Sequence, residues 1–108
     1  MRLSKQENEL VKNAILKKRE IEINFKYGLG NELKIPFHPL ILGEDTMQYE
    51  FIYAYLPHSN IYYKLFTDFI ITIVETRNSF EIPENAEYRN AIEEEHYIVN
   101  DDFKNIWS

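Results

Sequence analysis

EIEINFKYGLGNELKIPFHPLILG, residues 20–43, alternates and then turns. Ile21, Ile23, Phe25 and Tyr27 fall on one side of an extended chain, and Glu20, Glu22, Asn24 and Lys26 on the other. That period of two belongs to a half-buried β-strand, because successive side chains of extended backbone point to opposite faces. GLGN at 28–31 then places two glycines where a tight reversal needs positive backbone torsions, so a hairpin into a second strand is expected near Glu32. Pro36 and Pro39 cannot donate to a ladder, which predicts an edge, a bend or a bulge around IPFHP before Leu40, Ile41 and Leu42 continue the strand to GEDT.

Working outward, Ser4 and Glu7 have the spacing of a capping box, and Leu10, Val11, Ala14 and Ile15 follow as one apolar stripe opposite Lys12, Lys17, Lys18 and Arg19. A helix over 4–19 is predicted. MQYEFIYAYL, 47–56, has almost no polar face and reads as a central strand; PHSN, 57–60, is turn chemistry. IYYKLFTDFI, 61–70, and ITIVET after it supply the remaining strands. One helix ahead of five consecutive strands at turn spacing predicts a mainly β single domain: a small five-stranded antiparallel SH3-like barrel over 20–80. The acidic segment 81–108 is predicted helical, with Pro83 near its start and a short turn around Phe103, Ile106 and Trp107 packing at its end.

The 108 residues, 44% hydrophobic and 28% charged, suit one domain with its own core. The lack of cysteine excludes a disulfide framework, thiolate metal sites and cysteine nucleophiles. MRLSKQENEL carries charge where a signal peptide needs an apolar run, and no segment approaches the roughly 20 apolar residues of a membrane span. A cytoplasmic protein without membrane attachment is expected. The net charge of -6 is concentrated at one end: residues 81–108 hold eight acids against Arg89 and Lys104, while residues 1–34 hold eight bases and five acids. The acidic tail is therefore expected to dock on the basic helix or to face a partner.

The succession AILKKREIEINF (14–25), KIPFHPLILG (34–43), YEFIYAY (49–55), YKLFTDFI (63–70) and VETRNSFEIP (74–83) resembles the WYL domain, a small SH3-like or Sm-like barrel, over roughly residues 8–85. Where that family carries tryptophan, tyrosine and leucine, this chain has Glu50, Phe51 and Ile52. The arginine of the second strand falls at Ile35 or Lys34, and in the arginine-x-phenylalanine element Lys64 and Phe66 stand instead. The chain thus resembles a degenerate WYL domain, keeping at most Lys34 and Lys64 of the basic residues that the family uses on anionic ligands. The resemblance implies a ligand-sensing or regulatory module of transcription or phage defence, contacting a nucleotide-like or other anionic ligand.

Physically, rings beside a cation on a barrel face can stack bases and hold phosphate. Tyr62, Lys64 and Phe66 share one face of their strand, and Lys34 and His38 complete the candidate ligand-binding set. Against this, aromatic strands of small barrels usually pack a core, and a chain with an acidic tail is a poor nonspecific nucleic-acid binder. No enzyme, metal site or cofactor is expected: His38, His58 and His96 lie far apart, EEEH at 93–96 lacks a second histidine, and no serine sits in a nucleophile elbow. The rival is an acidic protein-interaction module such as an immunity protein, antitoxin or phage-encoded inhibitor, distinguished by whether Glu93, Glu94 and Glu95 face solvent or pair with Lys17, Lys18 and Arg19. A homodimer is compatible with either reading.

Overall fold

Helix α1, Lys5–Lys17, begins where its cap demands. The Ser4 hydroxyl accepts from the Glu7 amide at 3.2 Å and the Glu7 carboxylate accepts from the Ser4 amide at 3.0 Å, satisfying two of the amides that a helix start leaves without partners. Lys18 closes it in the left-handed region with φ 55°, so the chain leaves the helix straight into β1, Arg19–Tyr27. The computed structural model describes residues 3–82 and the backbone of 96–100.

In β1, Ile21, Ile23 and Phe25 are buried as their alternation predicts, while Tyr27, next to the turn, is exposed. Gly28 and Gly30 carry positive φ, 59° and 82°, the torsions for which a side chain is most costly. The returning strand β2, Asn31–Glu44, runs 14 residues through both prolines. Its first half pairs antiparallel with β1, from Tyr27 opposite Asn31 to Ile21 opposite Phe37. Its second half pairs with β3, Glu50–Leu56, from His38 opposite Tyr55 to Glu44 opposite Glu50. The irregularity between Pro39 and Ile41 lies just past this handover, where the missing proline N–H breaks the ladder.

Strand β4 spans Ile61–Phe66, a 3-10 turn occupies Thr67–Phe69, and β5 spans Ile70–Ser79. The stretch 61–70 is therefore a strand and a turn. The sheet order β4-β3-β2-β1-β5 is that of an SH3-like barrel, with the 3-10 turn linking its two end strands. A further strand, β6 at His96–Asn100, pairs antiparallel with Ile41–Glu44 of β2. The helical expectation for 81–108 thus gives way at His96–Asn100 to a ladder strand; HYIV combines aromatic and β-branched residues suited to a pleated surface. The rest of that expectation, at 83–95 and 101–108, lies outside the described residues, as do Glu93, Glu94 and Glu95. Of their expected partners, Arg19 pairs with Glu75 at 3.5 Å.

Two apolar clusters result. Inside the barrel, Val11, Ala14 and Ile15 of α1 pack with Ile21, Ile23, Phe37, Leu42, Ile52 and Leu65 among others. On the other face of the β2–β3–β4 sheet, Leu40, Ile41, Phe51 and Tyr53 form a second buried cluster, flanked by Tyr55, Phe66, Phe80 and Ile82. Strand β3 is buried on both sides, which is why MQYEFIYAYL shows no polar face. Among the described residues, no helix is long and apolar enough to cross a membrane.

Candidate functional site

The second cluster opens into a cavity of about 510 Å³, bounded on the sheet side by His38, Leu40, Tyr55 and Tyr62 and on the other by residues 79–82. Its floor follows from register. Tyr55 lies opposite both His38 on β2 and Tyr62 on β4, so three ring-bearing side chains from three strands share one face. Tyr55 and Tyr62 meet edge to face at 5.4 Å, and Tyr62 stacks on Tyr53 at 6.1 Å with the planes 8° apart. The Tyr55 hydroxyl donates to the side chain of Asn60, from the turn that joins β3 to β4.

The roof is set by a polar seam. As β5 ends, the Phe80 amide donates to the Lys18 carbonyl at 2.9 Å, tying the segment to the helix–strand junction. Its ring lies parallel to His38 at 4.6 Å, with the planes 3° apart. His38 in turn donates from Nε2 to Glu20 Oε2 at 3.0 Å. The other Glu20 oxygen takes Asn78 Nδ2 at 3.0 Å and the Thr76 hydroxyl at 3.2 Å. Burial pushes the Glu20 carboxyl up, but the hydrogen bonds from Asn78, His38 and Thr76, with the charge of His38, outweigh it and hold the group below the usual carboxylate range. Glu20 therefore fixes the His38 ring, and His38 fixes Phe80.

Of the candidate residues read from sequence, the structure brings His38 and Tyr62 together at this cavity. Phe66 and Lys64 lie further along the same face, where the Lys64 ammonium sits 4.9 Å from the Phe51 ring centre and 5.5 Å from that of Phe66. Lys34 lies on the first half of β2, opposite Asn24, and is 3.6 Å from Glu22. Lys34 is therefore apart from the His38–Tyr62 pair, while Lys64, two residues along β4 from Tyr62, has its ammonium over Phe51 and Phe66. Tyr55, Asn60, Phe80, Glu81 and Glu20 were not singled out by the sequence. For Tyr55 the signal was present, since it alternates with Tyr53 along a strand whose two faces are both apolar; for Phe80 and Glu81 only the course of the chain after β5 brings them in.

The sequence matches no established protein-family profile, and no curated protein matches it. Among solved structures, proteasome accessory factor B/C (PafBC) of Arthrobacter aurescens superposes on 87% of this chain with a TM-score of 0.75 at 18% identity. The fold is WYL-like. The chain spans 15% of the length of that protein, so the likeness is one of a single module. At 18% identity it is a likeness of architecture: one helix, then the strand path β4-β3-β2-β1-β5.

Proposed function

We propose that the chain is a non-enzymatic, WYL-like regulatory domain, a degenerate member of that family, that senses a small planar ligand in the cavity between the β2–β3–β4 sheet and residues 79–82. The observation that carries this is the cavity itself. Its walls combine stacking surfaces, Tyr62, Tyr55 and Phe80, with the polar ends of Asn60, Ser79 and Glu81, the mixture that small-molecule sites use to gain area and fix orientation. The regulatory half of the reading draws on the fold, which is like that of one module of a solved proteasome accessory factor, PafBC. The non-enzymatic half is supported by the state of Glu20, whose oxygens already take three side-chain donors that hold a wall in place, so the His38–Glu20 pair is employed as structure.

A thermal-shift panel of nucleobases, nucleosides, nucleotides and short oligonucleotides tests the proposal, because a ligand that prefers the native state raises the melting temperature. At least one planar member is expected to raise it, and Tyr62→Ala to abolish the rise. Tyr62 is partly exposed, so this variant keeps the fold. No rise with any member would defeat the sensing role and favour the acidic interaction module.

A further inference from the structure

Resting on that reading, we propose that the cavity takes an unphosphorylated, amino-bearing heteroaromatic ring, of the adenosine kind, and discriminates against the same ring carrying a phosphate. An anionic group needs lysines, arginines or converging amides around it, and the cations of this face are committed elsewhere. Lys34 lies against Glu22 on the other half of β2. Lys64 stands two residues along β4 from Tyr62, and its ammonium lies over Phe51 and Phe66, the ladder pair at the far end of that strand. Any positive charge on His38 is met by Glu20 at 3.0 Å. Among the described residues, the carboxylate that lines the cavity is Glu81, and it is exposed.

The same residues suit an uncharged base. Tyr62, Tyr55 and Phe80 offer ring faces and edges for stacking, which is indifferent to the sugar. The Glu81 carboxylate can accept from an exocyclic amine, and the Asn60 amide, whose oxygen already takes the Tyr55 hydroxyl, keeps N–H groups for a ring nitrogen. A phosphate on such a ligand would enter the field of Glu81 without a compensating cation among the described lining residues. One like charge a few ångströms away at the surface is enough to weaken binding about tenfold.

The test is calorimetric titration of the full chain with adenosine and with adenosine 5′-monophosphate at neutral pH and low salt, in the wild type and in Glu81→Lys. Adenosine is expected to bind about tenfold more tightly than the monophosphate to the wild type, and Glu81→Lys to reverse the order. Glu81 is exposed, so the variant folds. A monophosphate that binds the wild type as tightly as adenosine, or an order unchanged by Glu81→Lys, overturns the selectivity while leaving the sensing role intact. Binding by neither, while another planar compound raises the melting temperature, overturns the ligand class alone. Silence across the whole panel overturns both.

Discussion

At the scale of single residues, the Glu20 carboxylate holds three side-chain partners, His38, Thr76 and Asn78, and its chemistry is testable by pH. Its carboxyl is held below the ordinary range in the folded protein, so the folded state binds fewer protons than the unfolded one as pH falls through that interval. The stabilisation is complete above the unfolded value of about 4.3 and is lost as pH drops through the lower, folded value. Glu20→Gln keeps the shape and removes the charge. We predict that it lowers stability at neutral pH by about 1–2 kcal/mol, the difference between charged and neutral acceptors, and that the gap closes below about pH 4 in urea denaturation. A gap independent of pH would mean that packing, rather than charge, is what the carboxylate supplies. Lys64 makes the complementary case. With its ammonium over two rings, Lys64→Ala should lower stability by about 1 kcal/mol and leave adenosine affinity unchanged, whereas a nucleotide-holding lysine would show the opposite pattern in the same two measurements.

At the scale of elements, what could be read locally was legible and what depended on pairing across the chain was not. The helix start is the clearest case, because Ser4 and Glu7 lie three residues apart and the side chain of each bonds the backbone amide of the other. Ser4→Ala should cost about 1 kcal/mol, measured as a shift in the urea midpoint with unchanged slope. The alternation of β1, the glycine turn and the bend near Pro39 were legible for the same reason: each is a torsional or periodic property of a few neighbouring residues. Strand β6 was not, since its acidic approach at 84–95 has helical spacing and its partner on β2 lies more than fifty residues earlier. The cavity was half legible. Tyr62 and His38 stood out by composition, but Asn78 reaches Glu20 across 58 residues and Phe80 reaches Lys18 across 62. No window of sequence contains such a contact.

At the scale of the whole molecule, the unusual feature is that β2 and β3 carry a core on each face. Phe37 is buried in the inner cluster and Phe51 in the outer one, both without solvent exposure, and the strands that bear them are bonded to each other. A loss on one face must therefore be felt on the other through a shared backbone. Phe37→Ala removes a fully buried ring at a cost of about 3–5 kcal/mol, a large part of the roughly 5–15 kcal/mol that holds a domain of this size. If the two clusters are one cooperative unit, the near-ultraviolet circular dichroism of the outer tyrosines and the far-ultraviolet signal of the backbone should melt together in this variant, both at a lower temperature than in the wild type. Separate transitions, with the tyrosine signal surviving the inner loss, would show that the cavity face is a unit of its own. Adenosine should then raise only the tyrosine transition, since a ligand stabilises just the unit whose unfolding releases it. A single transition ties occupancy of the cavity to the stability of α1 and the inner core, the physical condition for a ligand on the outer face to alter what the helix side of the molecule presents.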